Sequence, residues 1–478
     1  MLKVLIVASE GAPFIKTGGL GEVIGSLPKA LRTQNIDARV VLPKYMVIPA
    51  EYRNNIHHLK YIYVDIGWRH QYCGIEEYIL DGLPVYFIDN EYYFGRDMIY
   101  GYDDDEPERY TFYCRAVLEM LPHIGFTPDI IHCHDWQTGM IPVFLKANYM
   151  QYEFYRDIGT LFTIHNLKYQ GIFAKELMKE LLGLGEQYYT SDKLEFYGGV
   201  SFMKGGLTYS DLINTVSPTY AREIQTPFFG QKLDGLLRAR RGELFGILNG
   251  IDYDSYNPAD DPLIYVNYDG RDLKGKKEGK LKLQEQLGLP VREDIPIIAI
   301  ITRLVPQKGL DLIECVLEEI LAMDIQMVVM GDGEAHYEWL FRDGAYRHPH
   351  KLSANIYYDN ALAHKIYAGA DMFLMPSLFE PCGLAQLFSL RYGTIPIGRE
   401  TGGLKDTVQP YNESTGEGNG FSFTNYNAHD MLYTIRRAVE FYYKKDIWNM
   451  LIKRGMSGDY SWNRSASQYI ELYNKLNS

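Results

Sequence analysis

Short apolar runs alternate with longer amphipathic stretches along most of this sequence, and this alternation constrains the fold more than any other feature. Ile130–His134 and Gln326–Met330 are typical of the short runs, and Thr111–Leu121 and Asp311–Ala322 of the amphipathic stretches. Strands that are apolar on both faces are expected in a parallel sheet covered by helices. The alternation therefore predicts βαβ units and a doubly wound α/β fold.

The predicted strands fall into two series. We expect two Rossmann-like domains, residues 1–245 and 246–455, and a C-terminal helix within 456–478 that packs back on the first domain. Ligands of open α/β sheets bind beyond the carboxyl ends of the strands, which directs the search for chemistry to those ends. The predicted strands are Lys3–Ala8, Ala38–Pro43, Val85–Ile88, Ile130–His134, Thr160–His165 and Leu212–Val216, then Leu244–Leu248, Ile297–Thr302, Gln326–Met330, Asn355–Tyr358, Met372–Met375 and Thr394–Ile397.

Charge excludes several classes of partner. The 478 residues carry 61 acidic and 48 basic side chains, a formal net charge of -13. Nucleic-acid binding needs a basic surface, so neither a nucleic acid nor an anionic membrane is expected as a partner. No apolar run approaches the ~18 residues of a membrane span, and none has the form of a secretory signal. Five scattered cysteines fit a reducing cytoplasm and offer no metal framework.

Glycines follow the first predicted strand in the segment Lys16–Glu22, which opens a helix. Backbone N–H groups at a helix N-terminus attract anions, and Lys16 adds a full charge. A glycine turn that serves geometry alone is the alternative. The spacing Gly19-x-Gly21-x-x-x-Gly25 also resembles a loosened dinucleotide fingerprint, but Lys44 follows the second strand where that fingerprint wants an acid.

Polar residues follow two further strands of the first series. Asp135 and Trp136 come directly after Ile130–His134, where a carboxylate beside an aromatic ring suits a sugar; a helix cap with a packed Trp is the alternative. His165 ends the next strand, and Asn166 and Tyr169 follow it closely. This polar cluster would bind water or substrate; the alternative is a loop in which His165 forms its hydrogen bonds within the protein. The pair His132 and His134 is expected on opposite strand faces and is therefore not interpreted as a metal site.

In the second series, Arg303 and Lys308 lie five positions apart just before a predicted helix. Two cations there in an acidic protein favour a phosphate ligand over two solvated surface charges. Glu380 precedes a turn at Cys382–Leu384, and Thr401–Leu404 is a similar turn. Together these turns could hold different parts of a nucleotide diphosphate sugar. The acidic run Asp103–Asp105 is interpreted as a solvated loop and not a metal motif.

These motifs, in this order, resemble those of bacterial glycogen synthases and plant starch synthases, the retaining α-glucan synthases of the GT-B fold. The resemblance covers essentially the whole chain. Its length and lack of a plastid transit segment favour the bacterial enzymes. The motifs are Lys16-Thr17-Gly18-Gly19-Leu20, His134-Asp135-Trp136, Thr163-Ile164-His165-Asn166, Leu248-Asn249-Gly250-Ile251-Asp252, Arg303 with Gln307-Lys308-Gly309, Glu380-Pro381-Cys382-Gly383-Leu384 and Thr401-Gly402-Gly403-Leu404.

The resemblance implies glucose transfer from ADP-glucose to the non-reducing 4-OH of an α-1,4-glucan such as glycogen or a maltooligosaccharide, with retention and release of ADP. It implies two GT-B domains that face each other across a cleft and close on the donor, and neither a metal nor another cofactor. The implied catalytic residues are His165, through its main-chain carbonyl, Asp135, Glu380, Arg303 and Lys308. The implied donor-binding residues are Lys16, Gly18, Gly19, Asn249, Arg303, Lys308, Tyr358, Cys382, Gly383, Leu384, Thr401 and Gly402; the implied acceptor-binding residues are Glu22, Trp136, Asn166 and Tyr169.

Two positions depart from the pattern of related enzymes. Glu22 stands where many of them have Asp, and Phe388 stands eight positions after Glu380, where the wider retaining group has a second Glu. Without that carboxylate a double displacement has no obvious nucleophile, which favours substitution on one face within an ion pair. The alternatives are a UDP-glucose-using synthase, a phosphorylase or sucrose-forming enzyme of the same fold, an NAD(P) oxidoreductase, and a glucan-binding protein without activity.

Overall fold

The computed structural model describes residues 1–101 and 104–477. The chain divides into two compact units. The first comprises Met1–Asn249 together with the segment that begins at Trp462, and the second is Gly250–Ser461. Each unit is built on its own sheet and its own hydrophobic core. None of the helices in the described ranges combines the length and the hydropathy that a membrane span requires.

The first unit is organised around a mixed sheet. Over the described residues this sheet has nine strands in the order β12-β11-β7-β6-β1-β2-β5-β4-β3, parallel from β12 to β5, with β4 and β3 as an antiparallel hairpin at one edge. A small antiparallel sheet has the order β8-β10-β9. The strands are β1 Lys3–Val7, β2 Asp37–Pro43, β3 His57–Ile66, β4 Arg69–Leu80, β5 Leu83–Asp89, β6 Ile130–His134, β7 Gly159–Ile164, β8 Ile172–Ala174, β9 Glu195–Phe196, β10 Gly199–Ser201, β11 Leu212–Thr215 and β12 Leu244–Gly246.

Helices follow most strands of the first unit. The residues of β6 are fully buried, as expected for a central strand with both faces covered. Short polar side chains cap several helices; the Ser201 hydroxyl, for example, accepts a hydrogen bond from Lys204 N. The helices are α1 Gly19–Thr33, α2 Ala50–Arg53, α3 Glu91–Phe94, α4 Glu106–Met120, α5 Met140–Phe144, α6 Leu177–Glu180, α7 Phe202–Tyr209, α8 Pro218–Glu223 and α9 Asp234–Ala239.

The second unit lies wholly within the described residues and contains a six-stranded parallel sheet in the order β15-β14-β13-β16-β17-β18. Its strands are β13 Ile297–Ile301, β14 Gln326–Met330, β15 Leu352–Asn355, β16 Met372–Met375, β17 Ile395–Arg399 and β18 Phe421–Phe423. Its helices are α10 Lys274–Gln286, α11 Leu310–Leu321, α12 Ala335–Arg347, α13 Asn360–Gly369, α14 Ala385–Arg391, α15 Gly402–Thr407, α16 Ala428–Tyr443 and α17 Lys445–Ser457.

The last helix, α18 Trp462–Leu476, belongs to the first unit. It packs against α1 and β7. Ala466, Tyr469 and Tyr473 of α18 are fully buried members of the first unit's core. The first unit is therefore completed by residues from the far end of the chain.

Strand order fixes where ligands bind. In the first unit the chain adds strands on one side of β1 and then, from β6 onward, on the other side, so the switch point lies between β1 and β6. In the second unit the switch point lies between β13 and β16. A crevice forms at the carboxyl ends of the strands at such a switch point. The loops that follow these four strands carry Lys16, Asp135, Lys308 and Glu380.

Several features of the fold differ from the sequence-based expectation. The strand predicted to open the second series at Leu244–Leu248 is β12, which pairs with β11 and belongs to the sheet of the first unit. The strand predicted at Asn355–Tyr358 is wrong: β15 ends at Asn355, because its partner β14 ends at Met330, opposite Asn355, and no ladder continues beyond. The long hairpin of β3 and β4 was not predicted. Its outer face carries exposed tyrosines such as Tyr61 and Tyr63, so its alternation of buried and exposed positions does not follow an alternation of apolar and polar residues.

Candidate active site

The loop after β1 presents Lys16 beside the start of α1. The Lys16 ammonium forms an ion pair with the Glu22 carboxylate. Glu10 anchors the loop from below: its buried carboxylate accepts hydrogen bonds from Thr17 N at 2.6 Å and Thr17 Oγ1 at 2.8 Å. Burial raises the pKa of Glu10, although the Thr17 hydrogen bonds oppose that effect. The loop is held by a side chain that the sequence analysis did not single out.

Gly18 and Gly19 leave open space at the N-terminus of α1. An added Cβ at either position would meet no atom within 4 Å. Both glycines are exposed, and Gly18 has an extended backbone that any residue can adopt. By contrast, a Cβ at Gly21 would lie 3.0 Å from Lys16 Cα. The protein's own packing therefore does not explain the first two glycines.

Asp135 and His165 are brought together at the ends of β6 and β7. Asp135 Oδ1 accepts a hydrogen bond from His165 N at 2.8 Å, and Asp135 N donates to Thr163 O at 3.0 Å. Burial raises the pKa of the Asp135 carboxyl to about 7, against the lowering effect of the backbone N–H groups of His165 and Asn166. The carboxylate thus fixes the main chain at His165, the atoms to which the resemblance assigns a role.

A row of histidine rings continues from His165 into the core. His134 Nδ1 lies 2.9 Å from His165 Nε2, and the rings of His132 and His134 are 4.1 Å apart. The expectation that His132 and His134 lie on opposite strand faces is wrong, because residues two apart in a strand share a face. Burial lowers the pKa of all three rings, that of His165 to about 3.

Other predicted residues of the first unit have different surroundings. The Trp136 ring is buried in edge contacts with Tyr110 and Phe173, so it packs against protein. Asn166 Oδ1 accepts from Lys168 N at 3.1 Å, and Tyr169 is 49% exposed. Asn249 is nearly buried, and its Oδ1 has no hydrogen-bond partner among the described residues.

In the second unit, Lys308 and Glu380 form a direct pair between the loops after β13 and β16. Lys308 Nζ lies 2.7 Å from Glu380 Oε2, and the two side chains are 17% and 8% exposed. Ser377 Oγ donates to the same carboxylate oxygen at 2.9 Å. Arg303, two residues beyond β13, is exposed. A cation, a carboxylate and a second cation therefore lie on loops at the switch point.

Two turns interlock beside Glu380. Gly403 N donates to Glu380 O at 3.1 Å, and the start of α15 lies so close that a Cβ at Gly402 would be 1.9 Å from Glu380 O. Gly402 has a φ of 44°, in the left-handed region that favours glycine. Cys382–Leu384 and Thr401–Gly402, predicted separately from the sequence, are thus adjacent. Arg399 Nε supports them by donating to Ser377 O at 2.8 Å.

Tyr358 lies apart from the Lys308–Glu380 pair, beyond the end of β15. Its ring is 57% exposed, and its hydroxyl donates to Asn360 Oδ1 at 3.3 Å. The carboxyl end of β15 is at the same edge of the sheet as the loops after β13 and β16, since all these strands are parallel. An exposed ring at that edge can stack on a planar ligand group.

Residues 1–101 and 104–477 contain no group of three or more His, Cys, Asp or Glu side chains arranged to hold a metal ion. Of the acidic run considered as a solvated loop, Asp103 lies outside the described residues. Asp105 pairs with Arg96 at 2.8 Å, and this hydrogen bond lowers the pKa of the Asp105 carboxyl.

The sequence analysis missed Glu10, Ser377 and Arg399, which hold the site residues in place, and it gave His134 no role of its own. For two of these residues, their position in the sequence could have indicated a role. Glu10 and Ser377 follow β1 and β16 within a few residues, where a polar group in an otherwise apolar segment indicates a strand end. No local pattern pointed to Arg399, the last residue of β17.

Two family models match the chain. Residues 3–239 match the starch synthase catalytic domain, and residues 284–449 match glycosyl transferases group 1. A catalytic domain of starch synthase IV from Arabidopsis thaliana, solved bound to ADP and acarbose, superposes with a TM-score of 0.93 at 36% identity, covering 100% of this chain and 99% of that one. A sucrose-phosphate synthase from Thermosynechococcus elongatus, 16% identical with a TM-score of 0.63, shares the fold.

Full-length relatives agree with these matches. A glycogen synthase of Desulforamulus reducens is 56% identical over 475 residues, which cover 99% of each chain. A glycogen synthase of Geobacillus thermodenitrificans is 57% identical over 475 residues, 99% of this chain and 98% of that protein. The resemblance and the fold class inferred from the motifs are confirmed, and the oxidoreductase alternative is excluded. The chain belongs to the glycogen synthase family of glycosyltransferases, enzymes with the GT-B fold.

Proposed function

We propose that this enzyme transfers glucose from ADP-glucose to the non-reducing 4-OH of an α-1,4-glucan, with retention of configuration and release of ADP. The observation that carries the proposal is the Lys308–Glu380 pair at the switch point of the second unit, with Arg303 beside it. A diphosphate leaving group and a sugar need this combination of cation and carboxylate. The names of the relatives and the ADP bound to starch synthase IV support the choice of substrates.

The diphosphate is assigned to Arg303 and Lys308. Negative charge grows on the leaving ADP as the glycosidic bond breaks, and fixed cations lower the energy of that state; one such contact is typically worth about 3 kcal/mol. The chain is otherwise acidic, with a net charge of -13, so these cations are local exceptions. Lys16 and the open backbone at Gly18 and Gly19 are assigned to the same ligand. Thr401 and Gly402 complete the phosphate contacts.

The donor glucose is assigned to Glu380 and the turn that follows it. The Glu380 carboxylate is held by Lys308 and Ser377, which leaves its second oxygen to accept from a sugar hydroxyl. Cys382, Gly383 and Leu384 would contribute contacts from the interlocked turn. The unpartnered Oδ1 of Asn249 and the exposed ring of Tyr358 are assigned to the donor, the latter to its base.

Retention is proposed to occur by substitution on one face of the sugar. Phe388, eight positions after Glu380, is nearly buried and stacks on Tyr256 with ring centroids 3.8 Å apart. That position therefore supplies packing and not a nucleophile. The main-chain carbonyl of His165, fixed by Asp135 through His165 N, is assigned to the charge that develops at the reacting carbon.

The acceptor glucan is assigned to the first unit, and most of the proposed contacts to the nucleotide sugar are assigned to the second. The glucan is neutral and needs no basic surface. Asn166 and Tyr169 are assigned to the glucan, and so is Glu22 beside Lys16. Trp136 is assigned to the same ligand and packs directly against the backbone of Gly171, where a Cβ would lie 2.3 Å from the indole ring. We further propose that the reaction needs no metal or other cofactor, and that the enzyme acts in the cytoplasm.

Donor preference is the decisive experiment. Radiolabelled ADP-glucose and UDP-glucose are offered in parallel with glycogen, and incorporation into polymer is counted. Faster transfer from ADP-glucose, with label removed by an enzyme that trims α-1,4-linked chain ends, is the expected result. UDP-glucose is the second candidate, because an exposed Tyr358 can stack on either base. Absence of transfer from both donors would overturn the proposal, and a Lys308→Met variant is the matched control.

A further inference from the structure

Beneath His165 lies a buried histidine that the proposed reaction does not use. The His134 ring is fully buried on β6. Its Nδ1 lies 2.9 Å from His165 Nε2, and its own Nε2 is buried with no hydrogen-bond partner in the described residues. His165 is only partly buried. His134 therefore lies inside the core, and one of its nitrogens contacts one nitrogen of the partly buried His165.

The contact between these rings determines where protons lie. Burial keeps both rings neutral at ordinary pH, because it lowers the pKa of each. Two neutral imidazoles joined nitrogen to nitrogen share a single proton in that contact. If His165 Nε2 carried it, His134 would carry its own proton on Nε2, as a buried N–H without an acceptor. Orphaned buried N–H groups are rarer in proteins than unfilled acceptors.

The opposite arrangement avoids that group. The His134 Nδ1–H donates to His165 Nε2, and the buried Nε2 of His134 is a bare nitrogen. His165 must then carry its proton on Nδ1. Since Nε2 is already occupied by His134, Nδ1 is the nitrogen left to meet a ligand, and it does so as a donor.

We propose that His134 is a positioning residue that fixes His165 as its Nδ1–H tautomer, so that His165 presents a hydrogen-bond donor to a sugar hydroxyl. The inference rests on the proposed function for its substrate, but not for the tautomer itself. A bare Nδ1 would offer a lone pair to the same hydroxyl. The tautomer therefore decides whether the hydroxyl accepts or donates.

The C-terminal helix supports this arrangement from the other side of the row. Thr163 Oγ1 donates its only proton to Asn214 Oδ1 at 2.5 Å, so it accepts from His132 Nε2–H at 2.6 Å. His132 Nδ1 then accepts from the hydroxyl of Tyr473, on α18, at 2.8 Å. Both nitrogens of His132 are occupied, which holds its ring against that of His134.

The first test reads the tautomer in the free protein. In protein labelled with ¹⁵N-histidine, the His165 signals are identified by their loss in His165→Gln. We expect a protonated Nδ1 and a bare Nε2 in the wild type, a mixture of tautomers in His134→Leu, and the wild-type state in His134→Asn, whose amide places a donor near the Nδ1 position. A protonated Nε2 in the wild type, or an unchanged tautomer in His134→Leu, would overturn the proposal.

The second test reads the reaction. We expect kcat to fall about tenfold to a hundredfold in His134→Leu, as for other losses of a positioning contact, with the KM for glucan unchanged. His134→Asn should recover most of that loss. The double variant His134→Leu/His165→Ala should be no slower than His165→Ala, because both substitutions act on the same hydrogen-bond donor, the Nδ1–H group of His165. Additive losses would show that His134 acts elsewhere. A wild type inactive with every donor refutes the proposed function, whereas the tautomer is measured without turnover.

Discussion

Replacing Gly19 with Ala should move stability and activity in opposite directions. Gly19 is the first residue of α1, and an added Cβ would meet no protein atom within 4 Å. Ala loses less backbone entropy than Gly on folding, worth about 0.5 kcal/mol here. The melting temperature should stay constant or rise by about 1–2 °C. A phosphate that approaches this backbone would lose a charge-assisted hydrogen bond of about 1.5–3 kcal/mol, roughly a tenfold to hundredfold fall in kcat/KM for the donor.

The assay combines thermal unfolding with initial rates over a range of ADP-glucose concentrations. Gly21→Ala is the matched control, since its Cβ would lie 3.0 Å from Lys16 Cα and should lower the melting temperature as well as the rate. A Gly19→Ala enzyme with an unchanged donor kcat/KM would refute the reasoning, because the open space would then hold no ligand.

Three further outcomes are expected. Lys308→Met leaves the buried Glu380 carboxylate without its cation and should lower the free energy of unfolding, measured by urea denaturation, by about 2–3 kcal/mol. The double variant Lys308→Met/Glu380→Gln should recover most of this stability but remain inactive. In the folded protein the pKa of Asp135 is about 7, above its ordinary value, so the contribution of its protonated form to the free energy of unfolding is lost as pH rises from about 4 to 7. Between pH 5 and pH 8 the free energy of unfolding of Asp135→Asn should therefore rise by on the order of 2 kcal/mol relative to that of the wild type. A difference between the two proteins that does not depend on pH would contradict this. Tyr358→Ala should raise the donor KM about tenfold with kcat and melting temperature unchanged, and an unaltered KM would remove the stacking role.

Strand ends could be predicted from the sequence because their signals are local. An apolar run followed by polar residues marks β1 in the first unit and β13 and β16 in the second, and parallel pairing brings the carboxyl ends of β13 and β16 to one edge of their sheet. The family, the fold class and the transferase function followed from motifs at those ends and are confirmed by the comparisons. The individual residue roles stay predictions.

Partners distant in sequence could not be predicted. Tyr473 binds His132 across 341 positions, and nothing in either segment announces the other. The pairing of Lys308 with Glu380, 72 positions apart, is likewise a product of strand order, which the alternation of strands and helices does not specify. Glu10 was missed for a different reason: a carboxylate is expected at the surface, and only the fold shows that Thr17 satisfies it inside.

The contribution of α18 to the first unit has a consequence for synthesis. The ribosome makes Met1–Asn249 first, but the core of that unit lacks Tyr469 and Tyr473 until the last residues emerge. The second unit, Gly250–Ser461, is continuous in sequence and can fold while the first is still incomplete. The first unit is therefore completed only after the second has been made, and a chain truncated before Trp462 would lack the part of that core which α18 supplies.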